Sequence, residues 1–242
     1  MISRKAEHLF DTGGLGVPRN GSSDIRVTYN DRLNHILHAA TDVIARAGYE
    51  KASMRAVAKA SGVSLAGLYH YFDSKEKMLF LIQFRAFGSL LNNLREKLHG
   101  VDEPIEQLRV MICAHIGYFA EHMAELKVCS HELDSLTGTS YDETRRIRRA
   151  YYELTRSIVE RTAQEHSRGH APDAHIATMS LFGMLNWLYR WYNPKRDRSP
   201  NALASQIARQ FLHGLVGADE TLPAGRSRSS AAPESAEARP KG

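Results

Sequence analysis

Residues 53–77, SMRAVAKASGVSLAGLYHYFDSKEK, constrain the fold more than any other stretch of the chain. Ser53 is suited to cap a helix, its hydroxyl accepting an amide hydrogen two or three residues on. Met54, Val57 and Ala58 then give a short helix one inward face. Gly62 can take the left-handed conformation that a tight turn between helices requires. Ser64 opens a second short helix, Leu68 anchors it to the first, and small Ala66 and Gly67 leave its front open to close approach. Tyr69, His70 and Tyr71 make a polar, aromatic end. A short helix, a glycine turn and a second helix with a small front form the shape that enters a DNA major groove.

The rest of the chain supports a helical reading. Ile36, Leu37, Ala40, Val43, Ile44 and Ala47 recur at helical spacing, and Gly48 is a suitable stop. Leu79 to Leu98 predicts a long helix ending near Gly100, and a further one starts at about Glu103 with Pro104 in its first turn. Ile147, Tyr151, Leu154 and Ile158 mark another, broken at Gly169. Pro172 to Tyr192 opens with a second first-turn proline and closes at Asn193-Pro194; Leu203, Ile207, Phe211 and Leu215 form the last helix. No alternating strand pattern bounded by turns appears, so the expected fold is all-α.

The first 28 residues and the last 25, from Ala218, carry glycine, serine and proline breakers without apolar periodicity, and both are expected to be disordered tails. The expected organisation is therefore a tail at 1–28, a three-helix DNA-binding unit at 29–80, a helical ligand and dimerisation domain at 81–217, and a tail at 218–242.

Composition narrows the function. With 43% hydrophobic and 24% charged residues the chain is not wholesale disordered. The most apolar stretch, Met179 to Trp191, is interrupted by Asn186 and Arg190, so no membrane span is expected. Two cysteines, Cys113 and Cys129, make no disulfide framework, and a reduced cytoplasmic setting is expected. The net charge of +5 permits a nucleic-acid partner without requiring one. Within Tyr29 to Phe80 seven Lys and Arg oppose five Asp and Glu, so a few placed contacts matter more than bulk basicity.

The segment from Ile36 to Leu79, through Gly48-Tyr49, Ser53-Met54, Gly62-Val63-Ser64 and Gly67-Leu68-Tyr69-His70-Tyr71-Phe72-Asp73-Ser74-Lys75-Glu76-Lys77, resembles the DNA-binding region of the TetR (tetracycline repressor) family of bacterial transcription regulators. The resemblance covers about a fifth of the chain. It implies a homodimeric DNA-binding regulator, expected to be a repressor on a palindromic operator. By residue type, Ser53, Tyr69, His70, Tyr71 and Lys75 are candidates for phosphate contacts that fix register, Lys75 as a clamp at a helix N-terminus. Arg55, Ser64, Leu65, Ala66 and Gly67 are candidates for base edges. Tyr71 and Phe72 also suit packing between helices. Arg26, Thr28, Tyr29 and Arg32 form either a groove-reaching arm or a loose basic tail.

In the C-terminal half, Phe182-Gly183-Met184-Leu185-Asn186-Trp187-Leu188-Tyr189-Arg190-Trp191-Tyr192 is similar to a pattern in TetR regulators of fatty-acid and steroid catabolism, several of which bind acyl-coenzyme A thioesters. Such a ligand needs an apolar pocket and cations for its phosphates. Met111, Cys113, His115, Tyr118, Phe119, His122, Tyr151, Trp187 and Trp191 are candidates for the pocket. Arg145, Arg148, Arg149 and Arg156, with Arg146 and Arg190, are candidates for the phosphates, although such a run also reads as a solvated face with Arg149–Glu153 pairs. Leu181, Gly183, Met184 and Leu188 with Ile207, Phe211 and Leu215 form the expected dimer seam, or else a monomer core.

Alternatives remain beside this reading. A regulator of an efflux system would take a hydrophobic drug instead. A helical enzyme or scaffold is the alternative class, but no nucleophile elbow, phosphate loop or H-E-x-x-H is present, so no enzyme is expected. His115, His122, Cys129, His131 and Glu132 are too dispersed in sequence to predict a metal site. No resident cofactor is expected.

Overall fold

The computed structural model describes residues 23–167 and 171–217, with side chains from Tyr29 onward, and all regular elements among them are helical. In chain order they are α1 (Ser23–Ala47), α2 (Met54–Ser61), α3 (Leu65–Tyr71), α4 (Lys75–Leu98), α5 (Pro104–Glu121), α6 (Met123–His131), α7 (Gly138–His166), α8 (Ala174–Asn186), α9 (Leu188–Trp191) and α10 (Pro200–Val216). A single 3-10 turn, Leu133–Ser135, links α6 to α7. Residues 1–22 of the tail expected at 1–28, the tail expected at 218–242 and the break at Gly169 lie outside the described residues.

Local chemistry fixes the ends of these helices. Ser53, Ser64 and Ser74 cap α2, α3 and α4, each hydroxyl accepting an amide hydrogen three residues on, at 3.0–3.2 Å. Gly62 stops α2 at φ +66°, where a Cβ would be strained, and Val63 N donates to Ala58 O across the turn. Glu103 caps α5 ahead of Pro104.

Three boundaries differ from the spacing. Residues 23–28, expected in the disordered tail, continue α1: they contain no glycine or proline, and extending an existing helix adds one hydrogen bond for each residue ordered. The division at 80/81 falls inside α4, which serves two cores in succession. Met78 to Phe84 belong to one with α1, α2 and α3; Leu90, Leu91 and Leu94 belong to another with α5, α7, α8 and α10. Pro172 lies before the cap of α8 rather than in its first turn, because Asp173 accepts from Ile176 N at 2.8 Å. That helix also ends at Asn186, with Trp187 separating it from α9.

Helix α6 is absent from the sequence reading for a physical reason. Val128 packs into the first core while Leu126 packs into the second, so no single apolar stripe marks the helix. It bridges the two cores and packs against both α1 and α4.

Candidate nucleic-acid interface and ligand cavity

Helix α3 lies at the surface on a base formed by α1 and α2. Only Leu68 on it is fully buried; Ala66, Tyr69 and His70 are exposed, and Leu65 and Gly67 are partly so. A Cβ at Gly67 would come within 3.1 Å of the Ser64 cap oxygen, so a larger residue there would press on the cap of α3. The Ser53 and Ser64 hydroxyls are occupied as acceptors within the helix caps, which leaves their hydrogens able to reach a phosphate. Arg55 is exposed on α2 and has no ion pair among the described residues.

Of the two roles open to Tyr71 and Phe72 the fold uses packing, and Lys75 departs from expectation. Tyr71 is half-buried and stacks on Tyr29 with ring centroids 5.0 Å apart, so the end of α1 braces the end of α3, and Phe72 is core. Lys75, expected as a phosphate clamp, turns inward: its ammonium donates to Tyr49 O at 3.0 Å and lies 4.1 Å from the Tyr49 ring centroid. The loop after α1 turns the Tyr49 and Glu50 carbonyls toward the start of α4, and the ammonium reaches both, although Tyr49 O also accepts from Ala52 N. Arg32 joins the surface instead, lining a hollow of about 300 Å³ with Ser64, Gly67, His70 and Tyr71. The sequence offers Arg32 for a groove-reaching arm or a loose tail, and its place beside α3 depends on the tertiary approach of α1 to α3.

The second feature is a cavity of about 870 Å³ between α4, α5, α6, α7 and α8. Phe87, Phe119, Leu126, Tyr151 and Phe182 form an apolar floor, together with buried His115. Arg145, Arg148, Arg149 and Arg156 all line it from α7, against one carboxylate, Glu153. Glu153 pairs with Arg149 at 3.4 Å and with Arg156 at 3.8 Å. Arg148 is the most enclosed of the four: it donates to Cys129 O at 2.8 Å and lies 4.9 Å from the Phe87 ring, and burial lowers its pKa. The arginine run is therefore a cavity wall rather than a purely solvated face. An apolar floor with a cationic side can hold an anionic molecule that carries an apolar group.

Of the residues expected for the acyl part and its phosphates, His115, Phe119, Tyr151 and Trp187 line the cavity together with Arg145, Arg148, Arg149 and Arg156. The others do not. Met111 is wholly in the core below. Tyr118 donates to Glu125 at 2.7 Å, and His122 pairs with the same carboxylate, which draws both to the far side of α5. Cys113 is on the outer face of α5, Arg190 lies over the Trp187 ring, and Trp191 is exposed. Tyr152, His175, Asn186 and Tyr189 line the cavity without having been singled out for it; Asn186 stands four residues after Phe182, His175 seven before it and Tyr189 seven after it. Burial pushes the Cys129 thiol up to about 12, so it stays protonated.

The dimer seam needs the largest correction. Leu181, Leu188, Ile207, Phe211 and Leu215 are buried inside the protomer, because α8 and α10 turn Leu181, Ile207, Phe211 and Leu215 onto α5 and α7, and Leu188 of α9 joins the same core. Gly183 is exposed and Met184 half-buried. The outer stripe of α8 is apolar as well: Ile176 is 65% exposed, Met179 51% and Trp187 56%, with Gly183 between them.

A short chain of contacts joins the cavity to the α1–α3 unit. Cys129, Ser130 and His131 line the cavity, and the next residue, Glu132, accepts from Tyr49 N at 3.1 Å. Gln83 of α4 donates to Glu132 O at 2.9 Å, and Lys127 donates to Ala45 O in α1.

Among the described residues no group of three or more His, Cys, Asp and Glu is placed to hold a metal, and no helix is long and apolar enough to cross a membrane.

Comparison with known proteins places this geometry in context. Residues 36–82 match the family of bacterial regulatory proteins named tetR, and residues 101–215 match the tetracyclin repressor-like C-terminal domain. The fatty acid metabolism regulator protein of Bacillus subtilis is 24% identical over 181 residues, 74% of this chain and 93% of that one. The TetR family transcriptional regulator PfmR of Thermus thermophilus superposes with a TM-score of 0.66 at 30% identity, covering 74% of this chain and 98% of that one. AibR, solved in complex with isovaleryl coenzyme A and operator DNA, has a TM-score of 0.66 at 26% identity, covering 76% and 98%. Two of these three names refer to fatty-acid metabolism or an acyl-coenzyme A, and none of the three refers to an efflux system.

Proposed function

Because the chain belongs to the TetR family of bacterial transcription regulators, we propose that it is a homodimeric, ligand-released repressor whose effector is an acyl-coenzyme A thioester. The observation that carries the effector class is the cavity itself. Its aromatic floor suits an acyl group, and four guanidiniums along one side of α7 suit the phosphates of coenzyme A. Its relatives are transcription regulators, and no chemical step is assigned to it. The setting is the cytoplasm, where bacterial DNA is.

Two copies of α3 would enter successive major grooves of a palindromic operator, about one turn apart. Arg55, Leu65, Ala66 and Gly67 would face base edges; Ser53, Ser64, Tyr69, His70 and Arg32 would hold the backbone, with Tyr71 bracing the helix. The outer stripe of α8, Ile176, Met179, Gly183 and Trp187, would face the second copy, since an exposed apolar row on a helix next to the core marks an interface. Met179, Gly183 and Trp187 also line the cavity, so a bound thioester would touch the surface that sets half-site separation. Filling the cavity would also press on Cys129 to Glu132, and through Glu132 on the loop before α2. An effector acts by binding one of the two arrangements better than the other.

The test is a titration with isovaleryl-coenzyme A, with free coenzyme A and isovalerate as controls. It is run on the protein alone and on its complex with DNA from upstream of its own gene. The thioester should bind more tightly than either half and should release the DNA. Absence of binding at high micromolar concentration would remove the thioester reading.

A further inference from the structure

The apolar floor of the cavity contains one polar group that is left unsatisfied. His115, on α5, is 2% exposed and lies among Phe119, Tyr151 and Phe182, with its ring 4.9 Å from Phe119. Its Nδ1 is 3.1 Å from the Tyr151 hydroxyl. Its Nε2 is buried at the cavity wall with no hydrogen-bond partner. The Asn186 side chain of α8 lines the same wall and comes near enough to the imidazole to offset part of its desolvation, without forming a hydrogen bond of normal geometry to Nε2.

The protonation pattern follows from burial. Desolvation brings the imidazole pKa down to about 3, so the ring is neutral and carries a single N–H. Desolvation also raises the Tyr151 pKa, so its hydroxyl keeps a proton to give. With that hydroxyl donating to Nδ1, the imidazole hydrogen stands on Nε2. The floor thus presents a buried donor to whatever fills the cavity, and a purely hydrocarbon occupant would leave it unpaired.

We propose that the effector carries a hydrogen-bond-accepting oxygen within its buried acyl part, a chain carbonyl, received by His115 Nε2–H, and that this contact selects oxidised chains over plain aliphatic ones. The coenzyme A portion of this ligand rests on the thioester reading above; the oxygen rests on the floor alone. Tyr151 is a positioning residue, fixing the tautomer that points the hydrogen outward.

The experiment compares octanoyl-coenzyme A with analogues bearing one ketone along the chain, and methyl hexyl ketone with octane. Each is titrated into wild type, His115→Leu and His115→Gln by calorimetry or thermal shift. Nitrogen NMR of the imidazole reads the tautomer and its response to ligand. Wild type should bind the best ketone analogue about tenfold more tightly than its hydrocarbon counterpart, the effect of one buried hydrogen bond. His115→Leu should erase the difference while keeping or improving binding of the plain chain, and His115→Gln should restore part of it. If the methyl hexyl ketone preference appears but no thioester binds, the thioester reading falls and the His115 inference stands. Thioester binding without ketone preference, or a preference that survives His115→Leu, overturns the inference and spares the thioester reading. Failure of every probe to bind overturns both.

Discussion

Replacing Lys75 by Met separates two roles that a lysine at the start of α4 could play. In the structure the ammonium holds the loop after α1, through a 3.0 Å bond to Tyr49 O, a weaker 3.4 Å contact with Glu50 O and the Tyr49 ring at 4.1 Å. A hydrogen bond from a charged donor contributes about 1.5–3 kcal/mol and an exposed cation–π contact ~0.5–1. Lys75 is half-exposed, so solvent screening reduces the sum to about 2 kcal/mol. For a protein of this size that lowers the melting temperature by ~4–8 °C. Binding to operator should weaken modestly, through a looser base for α2, with no change in its dependence on salt. A phosphate contact behaves in the opposite way: each one removed reduces the slope of log K against log salt by ~0.9, so ~1.8 for the dimer. Arg32→Met, at an exposed residue of α1 proposed to hold the DNA backbone, is the matched control and should reduce the slope without altering the melting temperature. Calorimetric melting together with anisotropy titrations across a range of salt reads both quantities. A Lys75→Met protein that melts normally and loses slope would refute the inward role and return the residue to the DNA.

Other perturbations address the remaining contacts. Glu132→Ala removes the acceptor for Tyr49 N and should leave operator affinity nearly intact while reducing release by isovaleryl-coenzyme A, by severalfold if the coupling lies in the usual 1–3 kcal/mol range, measured by gel shift with and without the thioester. His115 has a depressed pKa in the fold, about 3 against 6.5 unfolded. Its contribution to stability is therefore full above pH 6.5 and lost as pH falls toward 3, because the unfolded chain takes up a proton that the fold refuses. Urea unfolding at neutral pH and near pH 5.5 should show about 1 kcal/mol of this loss in wild type and none in His115→Leu; equal slopes in the two proteins would contradict the buried neutral imidazole. Met179→Glu, on the outer stripe of α8, should shift the protein toward monomer in light scattering and weaken operator binding without unfolding it, since the residue is half-exposed in the protomer. A dimer of unchanged mass would move the interface elsewhere.

The parts legible beforehand share one property, that their signals lie within a few residues of each other. Serine caps, Gly62 and the spacing of Met54, Val57 and Leu68 specify the α2–turn–α3 unit from side to side, with no need of distant partners. The same holds for the caps of α5 and α10, where Glu103 and Ser199 stand just before prolines. The arginine run on α7 was visible as a face, but whether it met solvent or a cavity was not. That depended on α8 laying Phe182 and Asn186 across it.

The sequence by itself determined that this chain is all-helical, that it carries a helix-turn-helix, and which residues stand at the front of α3. Those features follow from backbone geometry, caps and helical period, all local. Only the tertiary structure decided which side of α8 faces inward, since a helix apolar nearly all round has no preferred side until α5 and α7 supply one. It also decided that Lys75 braces a loop, that Arg32 stands beside α3, and that His115, Tyr151 and Asn186 meet at one cavity wall. Those last three lie 36 and 35 positions apart in the chain, and only the packing of α5, α7 and α8 brings them together.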